Sequence, residues 1–247
     1  MTSSSKNDGM EHLLKPDETA EYLRLSLAWL AKARMSGDGP PFVAQIIVEA
    51  GSTLIVEAEV AKKQRQLTRA RLVRNGLMIA LLAHYPIRLK NFAALSIGSS
   101  LIKIDTVWWI KLTAKETKEK RADERPIEDY LGGLIDKYIR TCRPILARGK
   151  DPGSALWLAM DGKRLSECYI REVITETTRA TLGVPVNPHM FRAAGATTAA
   201  IYAGDKPHLG SALLHHSHPP VAQENYNRAS GISASKAYGN LTSQFRK

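Results

Sequence analysis

The sequence is poor in cysteine, with only Cys142 and Cys168 among its 247 residues. Two thiols cannot build a disulfide scaffold, and these two do not stand at the spacing of a metal site. The scarcity argues against the disulfide-rich class of secreted domains and fits the reducing cytoplasm. We expect no metal or organic cofactor, because no acidic or cysteine ligands accompany the histidines at metal-binding spacing.

Long apolar segments are also missing. No apolar run reaches the roughly 18 residues of a membrane-spanning helix, and residues 1–15 lack the apolar centre of a signal peptide. There is no internal repeat or low-complexity tract. With 44% apolar residues the chain can bury a sizeable core. We therefore expect a globular, cytoplasmic protein without a membrane partner.

Positive charge is what the chain has in excess. Lys and Arg number 35 against 24 Asp and Glu, which gives a net charge of +11 and a pI near 9.7. The basic residues are spread from Lys6 to Lys247 and form no single tail. A folded domain with this excess attracts polyanions, and double-stranded DNA is the first to consider. Ordinary solubility charge is the alternative interpretation.

The N-terminal part divides into a polar, disordered tail (residues 1–12), a helical region (13–60) and a basic linker or helix (61–71). Residues 16–23 and 27–34 have the pattern of two short helices joined by a tight turn, which is typical of a helix-turn-helix. The second would be a recognition helix presenting Trp29, Lys32 and Arg34 to DNA, unless both helices merely pad the main domain. Residues 45–50 and 53–58 flank Gly51-Ser52 and predict either a hairpin or the start of a helix.

The remaining residues, 72–247, have the pattern of one folded domain. A buried helix at 72–84 ends before Pro86, and a short helix follows at 91–95. Residues 101–104 and 107–112 predict a hairpin around Asp105-Thr106, with a third strand at 125–127. Further helices are predicted at 130–147, 166–182, 191–203 and 208–215. Because strands and helices do not alternate, the predicted class is α+β, mainly α, with a small antiparallel sheet.

Four separated segments carry side chains suited to phosphate chemistry. The first holds Arg88, and the second holds Lys115 and Lys118 beyond a strand. The third is an H-x-x-R motif, His189 to Arg192, that opens a helix. The fourth contains His216 and, further on, Tyr226. Taken singly, each is as well explained by surface charge or packing.

In this order the segments resemble the catalytic boxes of the tyrosine recombinases (the phage integrase family), over roughly residues 72–246. The resemblance implies that family's catalytic fold and site-specific DNA recombination or integration through a 3′-phosphotyrosine. It makes Tyr226 the nucleophile and Arg88 and Arg192 the phosphate clamps. His189 and His216 would hydrogen-bond the phosphate or move protons.

Other roles also follow from the resemblance. Lys115 would protonate the leaving 5′ oxygen, with Lys118 as the alternative, and Lys118 and Arg121 would contact DNA. The family works as a tetramer on paired sites, often exchanging a C-terminal segment (here 233–245), and accessory DNA-bending proteins can assist it. Residues 14–43 resemble instead the helix-turn-helix of excisionase-like proteins, in place of a full core-binding domain.

The chain departs from the family pattern at three positions. Asn91 replaces the acidic residue that supports the first arginine. His215 replaces a glycine, and the interval from His216 to Tyr226 is one position longer than is common, so that His215 or His218 could serve instead of His216. Two other functions remain open. One is a catalytically degenerate DNA-binding protein of a mobile element, and the other is a type IB topoisomerase.

Two other tyrosines compete with Tyr226 for the role of nucleophile. Tyr202 lies between the second and third boxes, where the order of the family argues against it. Tyr238 lies further into the tail. The sequence order therefore favours Tyr226.

Overall fold

The computed structural model of the chain describes residues 42–60, 65–202, 235, 238–240 and 242–243. Within 42–202 the elements are α1 (Phe42–Val60), α2 (Gln66–His84), α3 (Leu89–Ala94), β1 (Leu101–Ile104), β2 (Val107–Leu112), β3 (Asp123–Pro126), α4 (Asp129–Lys137), a π-helical turn (Tyr138–Cys142), α5 (Arg143–Ala147), α6 (Glu167–Leu182) and α7 (Pro188–Tyr202). The expected α+β class, mainly helical with one small antiparallel sheet, is confirmed.

Helix α2 is the centre of the core. Every residue from Leu77 to Ala83 is buried, and α1, α4, α5, α6, α7 and the π-helical turn all pack against it. A helix surrounded on all sides can be apolar on every face, which explains its weak amphipathic pattern. It begins at Gln66, six residues before the predicted start, so the basic stretch 66–71 is helical.

Helices α1 and α2 touch at two glycines. A Cβ on Gly51 would lie 2.8 Å from the backbone nitrogen of Ala80, and one on Gly76 would lie 2.8 Å from the carbonyl oxygen of Gly51. Neither position has room for a side chain, so the two backbones approach directly. The hairpin alternative for residues 45–58 is therefore wrong. Gly51 marks a helix crossing and not a turn.

The sheet has the strand order β1-β2-β3, with both pairs antiparallel. Ile104 pairs with Val107, which leaves Asp105-Thr106 as the predicted two-residue turn, with Asp105 at φ 54°. Alternate residues of β2 are buried, as expected for a sheet with one face on the core. Strand β3 begins two residues before the predicted start because Asp123 and Arg125 are its buried positions.

Local signals explain where α6 and α7 begin. The Ser166 side chain accepts a hydrogen bond from the backbone nitrogen of Tyr169 at 3.2 Å, which caps α6. The Asn187 side chain accepts from the nitrogens of His189 and Met190, and Pro188 occupies the first helical position. Helix α7 therefore starts three residues before the predicted 191. The single helix predicted at 130–147 is interrupted by the π-helical turn.

Several predictions lie outside the described residues: the disordered tail, the helix-turn-helix with Trp29, Lys32 and Arg34, and the helix at 208–215. The division into domains stays a prediction, although Val48 and Leu54 of α1 belong to the same core cluster as Leu77 of α2. Among the helices that the structure describes, none combines the length and apolar character needed to cross a membrane.

Candidate functional site

Arg88 stands where the chain leaves α2 and enters α3. Tyr85 directly follows α2 as its C-cap, and its hydroxyl accepts a hydrogen bond from the backbone nitrogen of Glu128 at 2.9 Å. Arg88 has an extended backbone and precedes the first residue of α3. Its carbonyl accepts from the nitrogen of Phe92 at 2.9 Å. The backbone is thus held at both sides, while the side chain remains 29% exposed.

Arg192 joins this segment from α7. Its Nη1 donates to the carbonyl oxygen of Pro86 at 2.6 Å, two residues before Arg88. The bond brings the first and third predicted segments together. His189 lies in the first turn of α7, three residues before Arg192, so the two positions adjoin on one helix face. The His189 side chain is exposed.

Glu119 supplies a carboxylate that the sequence analysis missed. It accepts from Nη1 of Arg88 at 2.5 Å and from Nη2 at 2.6 Å, a two-bond pairing of planar groups. These bonds hold the pKa of the Glu119 carboxyl below its usual value. The side chain is 15% exposed. Asn91, at the position where an acidic residue was expected, is buried. The sequence carried no signal for Glu119, which lies 31 residues from Arg88.

A second ion pair lies beside the first on β3. Arg125 donates from Nε and Nη2 to the two carboxylate oxygens of Asp123 at 2.8 and 2.9 Å, and both side chains are buried. The two residues alternate on one strand, so they share one face of the sheet. This pair was also missed, because residues 115–125 form a run of surface-like charges in the sequence.

These charges form one electrostatic cluster around Arg192. Burial, together with the positive charges of Arg88 and Arg125, lowers the pKa of Arg192 to about 10, while the negative charges of Glu119 and Asp123 oppose that shift. Arg192 remains protonated at neutral pH. Three guanidinium groups and two carboxylates thus influence one another around Arg192, and their summed charge is positive, so the site is able to hold an anion.

The connection between β2 and β3 carries the remaining predicted basic residues. Lys115, Lys118 and Arg121 are all exposed there. The Thr117 hydroxyl donates to the carbonyl of Arg121 at 2.6 Å and accepts from its nitrogen at 3.0 Å. These two hydrogen bonds close a turn within the connection. The ion pair between Glu119 and Arg88 then attaches the connection to the start of α3. Lys115 stands four residues before Glu119, in the turn that follows β2.

The fourth segment lies outside the described residues, including His215, His216, His218 and Tyr226. Tyr238, one of the competing tyrosines, is described. It is buried, and its hydroxyl donates to the carbonyl of Ala83 in α2 of the same chain at 3.0 Å. Burial raises the pKa of its phenol. Tyr238 is therefore unsuited to attack a phosphate. Exchange of residues 233–245 between protomers stays a prediction.

No group of three or more His, Cys, Asp or Glu that could hold a metal ion occurs in the described ranges. Arginine, lysine and histidine dominate the site instead. Its chemistry is that of an anion site with fixed positive charges.

No protein-family model matches the chain, and no curated protein matches it. A solved structure to which it is similar is the crystal structure of XerH site-specific recombinase bound to difH substrate, in a pre-cleavage complex. The identity is 16% and the TM-score 0.49, and the similarity covers 76% of this chain and 50% of that one. The chain thus spans about half the length of the protein it matches.

Proposed function

We propose that the chain is a tyrosine-type site-specific DNA recombinase that cleaves and religates strands through a 3′-phosphotyrosine. The observation that carries the proposal is the meeting of Arg88 and Arg192, far apart in sequence, through the bond to Pro86. The order of Arg88, Lys115, His189, Arg192, His216 and Tyr226 along the chain supports it. The net charge of +11 is consistent with a DNA partner.

The arginines suit the charge that develops in phosphoryl transfer. A phosphodiester is an anion, and its non-bridging oxygens gain negative charge in the transition state. Arg88 and Arg192 carry planar guanidinium groups with several hydrogen-bond donors, and both are held in place before the substrate arrives. His189 and His216 would donate hydrogen bonds to the same oxygens or transfer protons, as histidine can near neutrality.

In the proposed cleavage step, the Tyr226 Oη attacks phosphorus. The Oη–P bond forms as the bond from phosphorus to the 5′ oxygen breaks, and the phenolic proton passes to a nearby base such as His189 or His216. Lys115 gives a proton to the leaving 5′ oxygen. One phosphoester replaces another, so religation to a second strand needs no external energy source.

The assembly and location are further parts of the proposal. We infer a homotetramer on paired duplex sites, in the cytoplasm, with accessory DNA-bending proteins where a site requires them. Trp29, Lys32 and Arg34 would read the major groove, while Lys118 and Arg121 would contact the phosphate backbone.

A catalytically degenerate DNA-binding protein is the second candidate. The observation that favours it is the occupation of Arg88 by Glu119, since a carboxylate there competes with a phosphate for the same donors. Such a protein would bind specific DNA without cutting it.

The test uses supercoiled plasmids that carry two, one or no copies of candidate attachment sites, taken from DNA flanking the gene. Recombinant circles from the two-site plasmid alone are the expected result. Relaxation of all three plasmids would identify a topoisomerase. Site-specific binding in a gel-shift assay, with neither product, would identify the degenerate protein and contradict the proposal.

A further inference from the structure

The end of the Arg88 side chain is already occupied. Its two terminal nitrogens donate to the two oxygens of one carboxylate, that of Glu119. Arginine recognises carboxylates and phosphates with the same arrangement of two parallel N–H···O bonds. The Glu119 carboxylate thus lies where a phosphate bound by Arg88 would lie.

The two ion pairs of the cluster differ in how they are built. Asp123 and Arg125 are buried neighbours on β3 and are fixed by the sheet. Glu119 lies in the connection between β2 and β3, outside the strand pairing, and reaches Arg88 across the site. Both Arg88 and Glu119 are partly exposed, at 29% and 15% of their side chains. An anion from solvent can therefore reach this pair.

We propose that Glu119 is a displaceable carboxylate that occupies Arg88 until a phosphodiester of bound DNA replaces it. The proposal rests on the proposed function for the nature of that phosphodiester. Arg88 keeps the pKa of the Glu119 carboxyl low, so at neutral pH the group that must leave is an anion. Its departure removes one of the two negative charges near Arg192 and strengthens the field on the incoming phosphate.

Displacement also affects the proposed general acid. Glu119 ties the β2–β3 connection to Arg88, and Lys115 lies on the same connection. When phosphate takes over Arg88, this tie is released, and the connection becomes free to bring Lys115 to the leaving oxygen. Lys115 would then be positioned only after a phosphate has bound.

A permanent supporting role for Glu119 predicts the opposite result. In that case the carboxylate would replace the acidic support missing at Asn91, and Arg88 would need it to bind phosphate. Neutralising Glu119 would then weaken phosphate binding. A displaceable carboxylate competes with phosphate, so neutralising it strengthens binding. The sign of the change separates the two roles.

The experiment titrates inorganic phosphate into the full-length chain by calorimetry and compares the wild type with Glu119→Gln. The matched control is Glu116→Gln, which makes the same charge change in the same connection. Glu116 accepts from the backbone and hydroxyl of Thr113, both at 2.7 Å, and the glutamine oxygen can still accept. We expect Glu119→Gln to bind phosphate at least ~3-fold more tightly than wild type, because the competing charge is gone.

Glu119→Ala is a second variant that should change affinity in the same direction, and adding Arg88→Ala to either variant should remove the gain. Phosphate affinity in Glu119→Gln that is equal to or weaker than that of the wild type and of Glu116→Gln would overturn the proposal. Phosphate binding does not require DNA cleavage. Tighter phosphate binding by Glu119→Gln, together with a wild-type chain that makes no recombinants, would therefore support the displaceable carboxylate while contradicting the recombinase function.

Discussion

The Glu119 carboxylate binds both terminal nitrogens of Arg88 and so joins the β2–β3 connection to the start of α3. Arg192 reaches the same segment through Pro86. Three parts of the chain that are distant in sequence thus converge on one positively charged site.

The first prediction concerns Arg192. Replacing it with alanine removes a fixed positive charge from the site, and we expect DNA cleavage to fall by roughly 100-fold or more. Arg192→Lys should recover little, because lysine keeps the charge but not the planar pair of donors. The measurement is the rate of strand cleavage on a labelled duplex.

The control for this prediction is Arg179→Ala. Arg179 is an exposed arginine of α6 whose side chain pairs with Glu176 at 2.7 Å. Its cleavage rate should match that of the wild type. Arg192 also donates to the carbonyl of Pro86, so its loss could destabilise the fold. Thermal unfolding must therefore show that each variant is folded. A folded Arg192→Ala with normal cleavage contradicts the assignment.

The second prediction separates Lys115 from Lys118. A lysine that protonates the leaving oxygen becomes dispensable when that oxygen is replaced by sulfur, since a thiolate leaves without a proton. We expect Lys115→Ala to cleave an ordinary duplex slowly and a duplex with a 5′-bridging sulfur at nearly the wild-type rate. Lys118→Ala should affect both substrates alike. Rescue of Lys118→Ala instead would assign the acid to Lys118.

The third prediction tests the crossing of α1 and α2. In Gly51→Ala the added Cβ would meet the Ala80 nitrogen at 2.8 Å and the Gly76 oxygen at 3.0 Å. We expect the free energy of unfolding to fall by ~1–3 kcal/mol, as for an overpacked core. Urea denaturation measures it.

The matched control is Gly133→Ala in α4. A Cβ at Gly133 meets nothing within 4 Å, so alanine should raise the free energy of unfolding by ~0.5–1 kcal/mol. An equal change in the free energy of unfolding in the two variants would mean that α1 and α2 do not touch at Gly51.

The fourth prediction is a pH dependence of stability. Because Arg88 holds the pKa of the Glu119 carboxyl below its unfolded value, the pair stabilises the fold fully above that unfolded value, near ~4.3. The contribution is lost as pH falls through the lower folded pKa. Wild type should therefore exceed Glu119→Gln in free energy of unfolding at neutral pH. The difference should disappear in acid, and a constant difference would rule out the ion pair as its cause.

How much the sequence predicts depends on how local the signal is. The turn at Asp105-Thr106 and the start of a helix at residue 166 were predicted because neighbouring residues determine them, and the structure adds that Ser166 caps that helix. Gly51 was ambiguous because a glycine in a turn and a glycine at a helix crossing look alike until Gly76 is placed opposite. The π-helical turn at Tyr138–Cys142 has no comparable local signal.

The site was predictable in its chemical groups but not in its contacts. The order of the motifs along the chain predicts Arg88 and Arg192 as phosphate-binding residues, and the structure brings their segments together. Glu119 was not chosen, because its partner lies 31 residues away and the glutamate stands in a polar run. No motif marks Glu119 in the sequence, and only the folded chain shows that this carboxylate pairs with Arg88.

The most direct test of the central claim is covalent trapping on nicked duplexes that carry candidate attachment sites, read on a denaturing gel. Wild type and Tyr238→Phe should each give a protein–DNA adduct, because Tyr238 is buried and bonded to Ala83. Tyr226→Phe should give none, while still binding the same duplex in a gel-shift assay. An adduct that survives in Tyr226→Phe, or is lost in a folded Tyr238→Phe, would contradict the account.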